Sequence, residues 1–186
     1  PFSNIDQDIK EELVSDVRDL LKELSITSII VTHDQNEAFN IADQVAIMNK
    51  GVIQQIGTPY DIYHKPANKF VAGFIGLGTF LPVRKVNDNS FEIPLGLLNN
   101  ERIKNDLTKF ENLEMLIRPD DIIHNDSSPK KAVILEKQFR GAEFLYKLLY
   151  NNEYSILCYA PSHHNHAIGD SIGIELDIKH YVIFER

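Results

Sequence analysis

Near residue 78 the hydrophobic pattern changes period, and this change constrains the chain more than any other feature. Before it, apolar residues return every three or four positions or gather in short β-branched runs. After it, they alternate in short segments divided by turn residues. The first pattern builds helices packed on a sheet, and the second builds a layered or closed β structure. The expected fold class is therefore α/β plus all-β, with an α/β part over residues 1–78 and a small β-barrel or sandwich over residues 79–186.

In the first part, Ile9, Leu13, Val17, Leu20, Leu21 and Leu24 form the stripe of an amphipathic helix over residues 6–24. Ser3 and Asp6 match a capping pattern, and Asp6 can cap the helix itself. Thr27-Ser28-Ile29-Ile30-Val31-Thr32 reads as a strand buried on both faces, as in a parallel sheet. A short helix follows over residues 35–42, then a strand over residues 44–48. Asn49-Lys50-Gly51 turns that strand into a second hairpin arm. Thr58 and Pro59 have the chemistry of an N-cap and a first helical position, Pro66 ends that helix, and Asn68 starts another.

Beyond residue 78, strands are expected over residues 81–86, 91–95, 113–117, 132–138, 143–150, 154–159, 171–176 and 181–184. Asn87-Asp88-Asn89, Asn151-Asn152 and Gly169-Asp170 supply turns. A short helix is an alternative over residues 97–112. No apolar run of membrane-spanning length and no secretory leader pattern occurs. Pro1 stands where an initiator Met is expected, which suggests a piece of something longer.

Val31-Thr32-His33-Asp34 places a histidine just past the carboxyl end of the expected buried strand, where open α/β sheets bind ligands. On its own, His33 reads either as a strand-end imidazole bonded to backbone or as a group that reaches a phosphate or polarises a water. There is no Gly-x-x-x-x-Gly-Lys-Ser/Thr loop to cradle phosphates.

The order of motifs settles the comparison. Ser3-Asn4-Ile5-Asp6 is followed by Ile30-Val31-Thr32-His33-Asp34-Gln35-x-Glu37-Ala38, then Asp43-x-Val45-Ala46-Ile47-Met48. Gln55-x-Gly57-Thr58-Pro59 and Pro66-Ala67-Asn68-x-Phe70-Val71-Ala72-Gly73-Phe74-Ile75-Gly76 come next. The string resembles the C-terminal part of the ATP-binding subunits of ABC importers. The resemblance implies that residues 1–78 are the end of a P-loop nucleotide-binding domain. Ser3, Asn4 and Asp6 would belong to the D-loop, which touches the partner subunit. His33 would be the switch histidine, which contacts the γ-phosphate. In the family, a segment ending Asp-Glu-Pro runs into the D-loop, so the chain is expected to start at or just past the last catalytic carboxylate.

Residues 79–186 resemble the TOBE accessory domain of the same importers, a small oligonucleotide-fold-like β-barrel. Leu116-Ile117-Arg118-Pro119-Asp120-Asp121-Ile122, Phe139-Arg140-Gly141-x-Glu143 and Gly169-Asp170-x-Ile172-x-Ile174 carry this likeness. The resemblance implies dimerisation, regulation and γ-phosphate sensing within an ATPase subunit. That subunit would use ATP and Mg, pair as a homodimer, and sit peripherally on the inner membrane through permease subunits. This chain alone is expected to be inactive and to hold no cofactor. Phe74-Ile75-Gly76-Leu77-Gly78-Thr79-Phe80-Leu81-Pro82 followed by Leu116-Ile117-Arg118-Pro119 is most similar to the ferric-iron branch, and the spermidine/putrescine and maltose branches share much of the pattern. A free-standing ligand-sensing β-domain, taking an oxyanion or another small molecule without ATPase coupling, is the alternative.

The remaining candidates are local. His163, His164 and His166 could ligate a transition metal or stand solvated in a loop, and the neighbouring sequence adds no Cys or acid at metal spacing. Cys158, the one cysteine, reads as a packed small hydrophobe, and one cysteine excludes an internal disulfide. Phe139, Phe144, Tyr146, Tyr150, Tyr154 and Tyr159 could form a nucleic-acid stacking platform. The net charge of −8 weighs against it and favours buried strand aromatics.

Overall fold

A computed structural model describes residues 5–87, 90–99 and 112–186. The chain divides into two compact units, Pro1–Ile75 and Gly76–Arg186.

The first unit begins with helix α1, Gln7–Glu23. Asp6 occupies its N-cap position without bonding through its side chain. The helix ends in a Schellman arrangement: the Ile26 N–H donates to the Leu21 carbonyl (2.9 Å) and the Ser25 N–H to that of Lys22 (3.1 Å). Ser25 takes the left-handed conformation (φ 53°) that glycine more often fills. Helix α2 (Gln35–Ile41) and hairpin β1 (Val45–Asn49) and β2 (Val52–Gly57) follow. Lys50 and Gly51, both at positive φ, make the hairpin turn. Thr58 caps α3 (Pro59–His64), accepting from the Asp61 N–H at 3.1 Å, and the Asn68 side chain accepts from Val71 N–H at the start of α4 (Lys69–Ile75). Val45, Ile47, Ile62, Val71 and Ile75 form the core beneath these elements.

Two expectations fail in this unit. Residues 27–32 form no strand and pair with none among the described residues, and Ile29 (92%) and Val31 (88%) stand exposed. A strand is defined by its neighbour, and no neighbouring strand is described here. The apolar stripe of α1 is likewise uncovered in part. Val14 is buried with Ile41, and Leu13 and Val17 pack beside them, but Ile9, Leu20 and Leu24 are exposed.

The second unit is β throughout. Strands β3 (Thr79–Asn87), β4 (Ser90–Ile93), β5 (Gly96–Asn99), β6 (Leu113–Ile117) and β12 (Ile183–Glu185) form a sheet in the order β12-β6-β3-β4-β5. β5 stands where a short helix was the alternative reading; the rest of that stretch, residues 100–111, lies outside the described residues, as does the Asp88-Asn89 turn. Strands β7 (Ile122–His124), β8 (Lys131–Phe139), β9 (Glu143–Tyr150), β10 (Tyr154–Pro161) and β11 (Ser171–Leu176) close into a barrel, β10-β7-β11-β8-β9. Its pairs are antiparallel except β10 with β7, which runs parallel with Tyr159 opposite Ile123. Asn151 and Asn152, both at positive φ, turn β9 into β10. One core joins the sheet and the barrel, with Leu81, Phe91, Met115, Ile134, Tyr146, Leu148 and Ile156 among its buried members. No helix among the described residues is long and apolar enough to cross a membrane.

A 3₁₀ turn at Pro119–Asp121 links β6 to β7. There the Asp121 carboxylate accepts from the Arg118 N–H at 2.8 Å. Burial pushes the Asp121 carboxyl up to about 6, helped by Asp120 and Asp177 and opposed by the Arg118 hydrogen bond and charge. A carboxyl raised in the folded state binds its proton more tightly there than in the unfolded chain. Its contribution is full below the ordinary value of 3.8 and is lost as pH rises through about 6. Asp121→Asn keeps an acceptor for the Arg118 N–H and removes the titration. Urea denaturation should find the two proteins alike near about pH 4 and the variant more stable by about 2 kcal/mol near about pH 7.5. Equal stability of the two proteins at the higher pH would contradict this.

Candidate functional site

The segment that carries His33 is held by a cluster of charges. Lys10, one turn into α1, donates to Asp34 (2.5 Å) and to Glu37 (2.7 Å). The Thr32 hydroxyl donates to the other Glu37 oxygen (2.6 Å), and the Asp34 N–H donates back to the Thr32 hydroxyl (3.0 Å). Asp34 also caps α2, accepting from Asn36 N–H (2.9 Å) and Glu37 N–H (3.2 Å). Glu37 is 3% exposed, so its charge depends on these partners. Bonding to Lys10 holds both carboxyls below the usual carboxylate range, with Thr32 adding to the effect on Glu37, while Asp34 and then Glu37 push the ammonium up.

The cluster fixes the backbone on both sides of His33 and leaves its imidazole exposed. Of the D-loop candidates, Ser3 and Asn4 lie outside the described residues. Asp6 starts the turn of α1 to which Lys10 belongs, its carbonyl accepting from the Lys10 N–H at 2.8 Å. Lys10 thus ties the start of α1 to the His33 segment. Sequence reasoning missed Lys10, because nothing in the local pattern of α1 separates it from the other solvent-face charges. Asp34-x-x-Glu37 was the available signal for the other two, since it is the capping-box spacing.

A second cluster lies at one rim of the barrel. Parallel pairing of β7 with β10 puts the carboxyl ends of both strands at that rim. His124 ends β7, Asp126 follows it, and His164 and His166 sit in the loop after β10. One ligand atom from each of the four lies within 4.8 Å of every other. His124 Nε2 is 3.0 Å from Asp126 Oδ1, and the His124 side chain is only 2% exposed. Burial holds the His124 imidazole below its usual range. His163 is exposed and is not part of the group. The local sequence gives the loop histidines no acid, and the fold brings them Asp126, just past β7, with a third imidazole from His124.

Cys158 is fully buried in the barrel, its thiol directed to the Ile122 carbonyl (3.3 Å), and burial pushes it up to about 12. It is a packing residue. Phe144, Tyr146 and Tyr150 are core members, whereas Phe139 is 65% exposed and rests against Phe144.

The model of the TOBE domain matches residues 115–184, from β6 into β12. The spermidine/putrescine import ATP-binding protein PotA of Clostridium acetobutylicum is 32% identical over 181 residues, covering 95% of this chain and 49% of that protein. The protein of the same name from Clostridioides difficile is 32% identical over 178 residues, covering 95% of this chain and 50% of its own length. The one from Aster yellows witches'-broom phytoplasma is 40% identical over 122 residues, covering 66% and 29%. The chain spans about half the length, or less, of these curated relatives. Their names specify spermidine and putrescine, so the ferric-iron expectation is not supported.

Proposed function

We propose that this chain is the C-terminal part of the ATP-hydrolysing subunit of an ABC importer for polyamines of the spermidine and putrescine type. The observation that carries this reading is similarity to polyamine-import ATP-binding proteins along 95% of the chain, through both units. The mostly β-branched residues 27–32, with Ile29 and Val31 exposed, support it too. In this reading they are an inner strand of the nucleotide-binding domain, whose neighbours come from other parts of the subunit.

Within that subunit, His33 donates an imidazole N–H to the γ-phosphate and helps place the attacking water. Phosphoryl transfer needs positioning and charge stabilisation more than covalent help, and an imidazole N–H on a segment held at Thr32 and Asp34 can supply both. Lys10, Asp34 and Glu37 are positioning residues that hold the His33 backbone. Ser3, Asn4 and Asp6 belong to the loop that meets the second copy of the subunit. The fit to Mg-ATP is partial: His33 is the group offered to the phosphates, and this sequence has no glycine-rich phosphate loop. Mg-ATP would be held mainly by residues outside this chain. The TOBE domain serves subunit pairing and regulation, and permease subunits take up the motion.

The direct check is hydrolysis. The 186-residue chain should show no ATP turnover above background, whereas a subunit of the relatives' length, assembled with its permease, should turn over. Turnover by the chain alone would overturn this division of the site.

A further inference from the structure

We propose that His124, His164, His166 and Asp126 form a binding site for one divalent first-row transition-metal ion of the zinc class, which clamps the loop at residues 162–170 to the end of β7. The donor set decides the class. Three imidazoles and one carboxylate suit zinc and its borderline neighbours and do not suit magnesium or calcium, which take oxygen.

The geometry lies close to a closed site. Bonds of about 2.0–2.1 Å to a tetrahedral ion hold ligand atoms roughly 3.4 Å apart. The four atoms already lie within 4.8 Å of one another. His124 Nε2 and Asp126 Oδ1 are already 3.0 Å apart. The ring centroids of His164 and His166 are 4.5 and 4.9 Å from that of His124.

A second observation points to a ligand. The Nε2 atom of His166 is buried and has no hydrogen-bond partner among the described residues. Buried polar atoms are rarely left unmatched, and in the tautomer protonated at Nδ1 this nitrogen has a lone pair to give. The loop is also braced behind its ligands. The Tyr146 hydroxyl, on a fully buried side chain, donates to the His164 carbonyl (2.6 Å) and accepts from the His166 N–H (3.2 Å). Lys137 Nζ donates to the His166 carbonyl at 2.8 Å. Such outer support holds ligands in place before the ion arrives.

The test is zinc titration by calorimetry of the tag-free, chelator-stripped 186-residue chain, with cobalt absorption as the reporter of geometry. One zinc per chain should bind at about micromolar affinity or tighter, and cobalt should give the intense visible bands of a tetrahedral site. His124→Gln and His166→Gln should each weaken zinc by about 100-fold, and the exposed Asp126→Asn by about tenfold. His163→Gln should change nothing. Circular dichroism without metal checks that each variant is folded. Asp126→Asn, a surface change, carries the test if a histidine variant does not fold. Wild-type binding weaker than about 100 µM, unchanged affinity in Asp126→Asn, a pale octahedral cobalt spectrum, or equal loss in His163→Gln would each overturn the proposal.

Discussion

Replacing His33 with alanine in the full-length subunit, assembled with its permease, should lower ATP hydrolysis by about 100- to 1,000-fold, the usual cost of removing one preorganised donor from a charged transition state. The imidazole is exposed, and the bonds that shape its segment come from Thr32, Asp34, Glu37 and Lys10. The substitution therefore removes chemistry and leaves the fold. Thermal unfolding should be unchanged, and the loss should fall on kcat more than on KM, because the proposed contact would matter most as charge redistributes over the phosphoryl group. A loss below about tenfold would remove His33 from the reaction.

Gly173→Ala should strongly destabilise the barrel. A Cβ at this position of β11 would sit 1.9 Å from the Asn125 carbonyl oxygen and 2.9 Å from its carbon, both backbone atoms. The strand cannot give way easily. The Asn125 N–H donates to the Gly173 carbonyl at 2.9 Å on that side, and Gly173 is paired with Lys131 of β8 on the other. Relief of the clash requires breaking the contact between β7 and β11, which is part of the closure of the barrel. The expected loss is about 3–5 kcal/mol by urea denaturation. Gly141→Ala is the control. Its φ of +83° strains an alanine, but a Cβ there meets open space, so the expected cost is about 1 kcal/mol. A Gly173→Ala protein no less stable than Gly141→Ala would contradict the close approach.

Local chemistry was readable at several single turns and caps, though Asp6 stands at the N-cap of α1 without a side-chain cap bond. Thr58 before Pro59, Asn68 before α4, Lys50-Gly51 and Asn151-Asn152 each act within a few residues of themselves, and each does what its side chain or backbone freedom dictates. What depends on a distant partner was not readable. Residues 27–32 have the composition of an inner strand, yet a strand exists only beside another, and no neighbouring strand is described here. β7 is three residues long and follows a Pro-Asp-Asp turn, so it carries too little pattern to be seen, although it closes the barrel. The same closure brings His124 and Asp126 to His164 and His166 across some forty residues of sequence. Lys10 meets Asp34 and Glu37 in the same nonlocal way. The ferric-iron choice rested on a string near residues 74–82 that several importer branches share, and so it could not separate solutes.

We have proposed that this chain belongs to the motor of a polyamine importer. The most direct measurement is uptake of labelled spermidine into proteoliposomes holding the full-length subunit and its permease, with ATP on the subunit's side and the solute-binding protein opposite. The account predicts saturable, ATP-dependent spermidine uptake that His33→Ala abolishes and that putrescine competes for. Uptake that proceeds equally without ATP or with His33→Ala, or ATP-driven uptake of ferric iron with none of spermidine, would contradict it.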